Sequence, residues 1–190
     1  IFSLSSACTT LSSMAQESAE TWYTEGQNTV MRNKALRSTL PVGATAKNVI
    51  LFIGDGMGIS TITAARILAG QLKGESGEEN QLYFENFPNV ALSKTYNTNG
   101  QVPDSAGTMS AMATGIKTDV GLISVNQNVV RGDCSTQAGN SAMTFLERAE
   151  TRGLATGVVT TARLTHATPA ANYAHAMDRD FEDDRDSEGL

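Results

Sequence analysis

Cysteine is scarce in this chain of 190 residues: only Cys8 and Cys134 occur. That excludes a disulfide-dense scaffold and a cysteine-built zinc finger. Histidine is equally scarce, and His166 and His175 alone limit any histidine-rich metal site. Basic residues are in deficit, 14 Lys and Arg against 20 Asp and Glu, for a net charge of −6. A chain of that sign is unsuited to general nucleic-acid binding, which needs Lys and Arg to neutralise phosphates. No run approaches about 18 consecutive apolar residues, so none reads as a transmembrane helix. The remainder, 40% hydrophobic and 18% charged, is ordinary for a globular domain and is enough to bury a core.

The two ends have their own character. Ile1-Phe2-Ser3-Leu4-Ser5-Ser6-Ala7-Cys8 reads like the end of an apolar export segment. Ser6-Ala7-Cys8 also suits a lipoprotein processing site with Cys8 as the lipid anchor, although Leu4 lies one place too far upstream. The competing reading is a plain Ser-rich N-terminus. Residues 1–20 are therefore assigned to leader and linker, and residues 21–190 to one domain. Asp178–Leu190 carries seven acidic residues and two Arg and reads as a cut inside a loop.

Between the ends, strands and helices alternate. Residues 27–38 suit a polar helix with a thin apolar edge at Val30, Ala35 and Leu36, closed by Pro41 and Gly43. Val49–Ile53 is apolar at every position, as expected of a strand buried on both faces of a parallel sheet. Ile62, Ala65, Ala69 and Leu72 follow as a helix stripe. Residues 73–81 read as a solvated loop, 90–96 as a half-exposed strand and 105–114 as a helix of small residues and Met. Ser141–Arg152 reads as a helix stopped by Gly153, and 157–160 as a third buried strand. The pattern predicts an α/β fold: a three-layer sandwich around a mostly parallel central sheet, incomplete in this chain.

Four places could carry chemistry. Asp55, in Gly54-Asp55-Gly56-Met57-Gly58, ends the first strand, where ligands gather in open α/β sheets. It is either a metal ligand or a turn residue capping the next helix. Asp104-Ser105 follows Pro103 at a helix start, where a hydroxyl meets the positive end of the helix dipole. Ser105 is either a nucleophile activated by a metal, or part of an N-cap with Asp104. His166 and Thr168, two apart, would project the same way from an extended segment; a structural histidine is the alternative. Arg179, among acids, is either a solvated ion pair or a bidentate phosphate clamp.

Taken in order, these segments resemble the alkaline phosphatase family. Ala46–Gly58 is similar to its first strand and metal-Asp turn, and Val102-Pro103-Asp104-Ser105-Ala106-Gly107-Thr108 to its nucleophile motif. Val158–Arg163 and His166–His175 continue in the family's order and spacing, so the resemblance covers about residues 45–180. It implies that Asp55 ligates a zinc and bridges to magnesium, and that Ser105 is the nucleophile, a zinc ligand and the site of phosphoserine. Asp104 would orient Arg179, whose guanidinium would hold two phosphate oxygens. Thr168 would ligate magnesium, with His166 beside that ion through water. Some members carry Asp at the position of His166; a neutral imidazole removes one negative charge and alters the cation preferred there. His175 matches a family helix position that is no ligand.

The implied cofactors are two Zn²⁺ and one Mg²⁺, and the implied substrates are phosphate monoesters. The resemblance also implies a homodimer exported to the periplasm or cell surface. Met109-Ser110 stands where the family usually has Ala-Thr, which predicts altered packing rather than lost chemistry. No further Asp-His pair follows Arg179, so the chain alone is expected to be inactive. Cys134 is expected not to be a metal ligand. Two other readings stand beside this one: a non-catalytic phosphate- or metal-binding surface module, and a phosphodiesterase or sulfatase relative. The Asp-Ser pair with Arg179 argues against the last.

Overall fold

A computed structural model describes residues 19–38 and 45–188. The expected lipid anchor at Cys8 and the helix stop at Pro41 and Gly43 lie outside the described residues. The chain divides into two units. One takes the described residues up to Ile50 with Ile62–Ala91; the other takes Leu51–Thr61 with Leu92 onward.

The first unit holds α1 (Ala19–Ser38) and most of α2 (Ile59–Gln71). Helix α1 starts earlier than the expected 27–38, and its thin apolar edge stays largely outside: Val30 and Ala35 are exposed and Leu36 half-buried. The inward edge of α2 is offset from the predicted stripe. Ile62, Thr63, Arg66, Ile67, Ala69 and Gly70 are buried or half-buried, while Ala65 and Leu72 face out. Gly70 decides the offset. A Cβ there would stand 2.6 Å from the Cα of Gly77, and one on Gly77 (φ +100°) would stand 2.3 Å from the carbonyl oxygen of Ile67. Two backbones thus meet where side chains cannot fit. The 73–81 segment, expected to be solvated throughout, therefore has Gly77 buried against α2.

The second unit is built on α3 (Ser105–Thr114), α4 (Phe145–Glu150) and the single turn α5 (Ala167–Ala170). Helix α3 has the predicted bounds. Its N-cap is Asp104, and Gly115 closes it with φ 78°. Ala106, Met109 and Ala113 fall on one face and are buried against Ile123, Ala167, Ala170 and Ala171. Small side chains on both sides bring α3 and α5 close. A second cluster joins Leu122, Val125, Val129 and Met177, with Phe181 against it.

Ser110, the residue beside Met109 on α3, ties these parts together. Its hydroxyl donates to the Leu122 carbonyl at 3.1 Å and accepts from the Ser124 N–H at 2.7 Å. Ser124 is the one non-glycine among the described residues with positive φ, at 45°. Every polar group of Ser124 is used. Its hydroxyl donates to the Ala171 carbonyl at 2.6 Å, and its own carbonyl accepts from Ala142 N–H at 2.8 Å and faces His175 Nδ1 at 2.7 Å.

Several expectations are corrected. No continuous strand exists among the described residues; Asn97–Gly100, Ile123–Ala176 and Val125–Ser141 are isolated antiparallel bridges. Residues 49–53, 90–96 and 157–160 carry no ladder, and their side chains are not buried: Val49 is 85% exposed, Phe52 89% and Val159 100%. A strand is held by hydrogen bonds to neighbours distant in sequence, and no described segment supplies them here. The sheet at the centre of the predicted sandwich is thus not seen in the described residues. The helix expected over 141–152 begins only at Phe145. Thr144 caps it, accepting the Glu147 N–H, while the Glu147 carboxylate accepts the Thr144 N–H at 2.7 Å. Residues 173–179, where the resemblance puts His175 at a helix position, are not helical; Ala176 pairs with Ile123 in an isolated bridge instead.

Glu147 also faces His175, whose Nε2 lies 2.9 Å from the carboxylate. Both ring nitrogens of His175 therefore face acceptors, the Ser124 carbonyl and Glu147, an arrangement that suits the doubly protonated ring. Burial works against that charge, but the bonds to Glu147 and Ser124 outweigh it, and the His175 pKa is raised. The His175 bond in turn holds the Glu147 pKa down.

Ser110→Ala strands the buried Ser124 N–H and should cost about 1–3 kcal/mol in denaturant unfolding. The His175–Glu147 pair makes stability depend on pH. A raised histidine pKa contributes fully below the unfolded value, about 6.5, and is lost as pH rises through the folded value. A lowered carboxylate pKa contributes above about 4.3 and is lost as pH falls through its folded value. The gap in unfolding midpoint between the native sequence and His175→Gln should therefore be widest between about pH 4.5 and 6.5 and narrow on either side. A gap that widens towards pH 9 would contradict the assignment.

Candidate active site

The turn Gly54-Asp55-Gly56-Met57 closes with the Met57 N–H on the Gly54 carbonyl, and Gly56 takes φ 63°. It presents Asp55 to solvent and to α5. Thr168 Oγ1 donates to Asp55 Oδ2 at 2.9 Å, and His166 Nδ1 lies 3.8 Å from the same oxygen. The expected extended segment at 166–168 is replaced by a helical turn. His166 stands just before that turn (φ −58°, ψ 148°) and Thr168 within it, so that Thr168 bonds the carboxylate oxygen and His166 lies near it without a hydrogen bond. His166 Nδ1 is buried with no hydrogen-bond partner.

Asp55, Asp104, Ser105, Thr108, Met112 and Thr168 are among the residues lining one cleft of about 340 Å³. His166 and Arg179 are not in its lining, but each approaches a residue that is. Ser105, the first residue of α3, is half-buried at the cleft. A larger hollow of about 430 Å³ lies beside Leu146, Val158 and Tyr173 and contains none of the candidate residues.

The Asp104 carboxylate organises the region. Oδ1 accepts from the Gly107 N–H at 3.0 Å and the Asn97 side-chain amide at 2.9 Å. Oδ2 accepts from the Gly121 N–H at 3.0 Å and from Arg179 Nη1 at 3.0 Å. Burial alone would raise the Asp104 pKa, but Gly107, Asn97 and Arg179 outweigh it, so the carboxyl is held below its usual range and stays ionised. All four acceptor directions of the carboxylate are then filled. Asp104 is thus both the helix cap and the anchor of the arginine, so the two readings of this residue are not exclusive.

Arg179 is held at both ends. Its backbone N–H donates to the Gly121 carbonyl at 2.8 Å, and its Nη2 lies 3.3 Å from His166 Nε2. A guanidinium can only donate, so His166 Nε2 must offer its lone pair. The acids adjacent in sequence do not take Arg179. Arg131 binds Asp178 through two nitrogens at 3.0 and 2.8 Å and Asp180 at 2.7 Å. Gly121 makes room for this: its φ is 86°, and a Cβ there would stand 2.5 Å from Arg131 Nε.

The donor chemistry fits part of a metal centre. An anionic oxygen and a hydroxyl meet at Asp55 and Thr168, a pair that suits a cation with oxygen ligands, while His166, whose Nδ1 carries the ring proton once Nε2 accepts from Arg179, faces the same carboxylate as a donor. Among the described residues no group of three or more His, Cys, Asp or Glu could hold a metal ion, so these residues supply only a portion of any coordination sphere. Cys134 is an exposed free thiol in a single 3-10 turn.

Asn97, Gly121 and Arg131 escaped the sequence reading. Asn97 sits in Asn97-Thr98-Asn99-Gly100, which looks like a surface turn. Its side chain is buried only because residues 117–121 fold over that turn.

Residues 46–190 match the family model for alkaline phosphatase. The tissue-nonspecific alkaline phosphatase of Gallus gallus is 49% identical over 169 residues, 89% of this chain and 32% of that protein. The tissue-nonspecific isozyme of Homo sapiens is 54% identical over 141 residues, 74% of this chain and 27% of that protein. Among solved structures, the alkaline phosphatase of the Antarctic bacterium TAB5 matches with TM-score 0.55 and 31% identity, over 67% of this chain and 32% of that one. The cold-active alkaline phosphatase of a psychrophilic Shewanella sp. matches with TM-score 0.57 and 34% identity, over 67% and 29%. The chain belongs to the alkaline phosphatase family. It spans about three-tenths of the length of these curated relatives.

Replacing Asp104 tests its double duty. Asp104→Ala removes a helix cap, about 1 kcal/mol, and strands buried donors at about 1–3 kcal/mol. Denaturant unfolding should therefore show a loss of at least about 2 kcal/mol. A loss below about 0.5 kcal/mol would mean that the network is not maintained in solution.

Proposed function

We propose that this chain carries the nucleophile and the phosphate clamp of an alkaline phosphatase, a phosphomonoester hydrolase that works through phosphoserine at Ser105. One observation carries the reading. The residue that caps α3 and precedes Ser105 is the residue that holds Arg179, so nucleophile and clamp share one anchor.

A phosphoryl group entering the cleft meets the Ser105 hydroxyl at the positive end of the α3 dipole. Arg179, with one nitrogen on Asp104 and another on His166, turns its remaining N–H groups to two phosphate oxygens. Ser105 gives up its hydroxyl proton to solvent and its Oγ forms a bond to phosphorus as the ester oxygen opposite departs with the bonding pair and takes up a proton from solvent. Water then attacks the phosphoserine, which releases inorganic phosphate and restores the hydroxyl. Two Zn²⁺ and one Mg²⁺, when bound, supply a lowered hydroxyl pKa and compensation for charge on the leaving oxygen. Asp55 and Ser105 would hold zinc, and Asp55 and Thr168 magnesium, with His166 beside it. Recognition limited to the phosphoryl group gives broad monoester specificity.

The remaining features go with this reading. Residues 21–190 form part of a single catalytic domain, and the full-length enzyme is an exported homodimer at the periplasm or cell surface. No helix among the described residues is long and apolar enough to cross a membrane.

The test is to trap full-length enzyme with labelled inorganic phosphate at low pH and map the label. Label should appear on Ser105 and disappear in Ser105→Ala, whose turnover should fall by about a thousandfold or more. Label on another residue, or label retained in the variant, would refute the assignment.

A further inference from the structure

The Asp104 network contains one member that neither capping nor anion binding explains. Asn97 is 3% exposed. Its Nδ2 donates to Asp104 Oδ1 at 2.9 Å, while its Oδ1 is buried with no hydrogen-bond partner. The amide cannot be turned to satisfy that oxygen, because an ionised carboxylate only accepts. A half-satisfied buried amide is a poor choice for stability alone, so its remaining bond is the reason for its presence.

The backbone beneath it is pinned. Asn97 N–H donates to the Gly100 carbonyl at 2.9 Å, Thr98 N–H donates to the Thr118 carbonyl at 3.0 Å, and Val120 N–H donates to Asn99 Oδ1 at 2.9 Å. Lys117 Nζ donates to the Tyr96 carbonyl at 2.6 Å. The amide therefore projects from a fixed turn. It also has a matched seat in α3: a Cβ on Gly107 would stand 2.6 Å from Asn97 Nδ2, 2.7 Å from Cγ and 2.8 Å from Oδ1. Gly107 donates its own N–H to the same Asp104 oxygen at 3.0 Å.

We propose that Asn97, seated against Gly107, is a positioning residue that fixes the plane of the Asp104 carboxylate and thereby the phosphate-binding orientation of Arg179. This rests on the phosphatase reading of the site. Without the amide, Oδ1 keeps one donor, the carboxylate can turn, and Oδ2 no longer dictates where the guanidinium points.

The experiment is a double-mutant cycle in the full-length, metal-loaded enzyme with Asn97→Ala, Gly107→Ala and the double variant. Affinity for inorganic phosphate is read by direct titration and by competitive inhibition. Thermal unfolding and metal content are recorded alongside. Each single variant should weaken phosphate binding by about tenfold or more, with kcat changed less. The added methyl has nothing to displace once the amide is gone, so the double variant should be no weaker than either single one. If Asn97→Ala fails to fold, Gly107→Ala displaces the same amide and carries the test. Unchanged phosphate affinity in a folded variant, or single effects that multiply in the double, would overturn the proposal. A merely structural asparagine would lower the melting temperature and leave phosphate affinity where it was. Native enzyme that neither hydrolyses a monoester nor binds phosphate would overturn the phosphatase reading itself, and this inference with it.

Discussion

One carboxylate sets the geometry of the candidate site. Asp104 is ionised, largely buried, and surrounded by four donors from four places in the chain: Asn97, Gly107, Gly121 and Arg179. A buried charge persists only when it is paired and hydrogen-bonded. Satisfying Asp104 therefore forces the first turn of α3, the 97–100 turn, the 119–121 loop and the arginine into one arrangement. Ser105 is placed by the same constraint, because it is the next residue and opens the helix that Asp104 caps.

The surrounding packing serves that arrangement. Alanine and glycine faces let α3 and α5 approach closely, which brings the segment carrying His166 and Thr168 towards Asp55. Ser110 and Ser124 close the gap between α3, residues 122–124 and Ala171 with buried hydrogen bonds. Arg131 meets the two acids that flank Arg179. The Arg131–Asp178 pair is bidentate and the Asp178 side chain is only 15% exposed, so the contact is held in one geometry. Its consequence is one of direction: with Asp178 and Asp180 occupied, the Arg179 guanidinium turns to Asp104 and His166.

The apolar segments 49–53, 90–96 and 157–160 show the other side of this logic. Their residues suit a buried sheet, yet the described residues leave Val49, Phe52, Leu92 and Val159 largely exposed and unladdered. Composition states what surroundings a segment requires, but it does not supply the neighbouring strands. The solved relatives are about three times as long as the stretch they share with this chain.

Much was legible in the residues themselves. Asp before a run of small residues, with Gly after it, marked α3 to its ends, because capping depends on neighbours a few positions away. Gly-Asp-Gly marked the turn that presents Asp55, and the spacing of the motifs identified the family. Helix α4 ends at Glu150, three residues before the expected stop, and Gly153 (φ 73°) closes the turn that follows by donating its N–H to the Glu150 carbonyl, which is also a local effect. What the sequence could not determine were contacts that cross it. Asn97 reaches Asp104 only after 117–121 folds over its turn, Arg131 finds Asp178 across 47 positions, and Thr168 meets Asp55 across 113. The inward edge of α2 was decided by the approach of Gly77, and the turn at 166–168 by packing against α3. Local chemistry is written in adjacent residues. The partner of a buried polar group is chosen by which distant segment arrives beside it, and that is decided only when the whole chain packs.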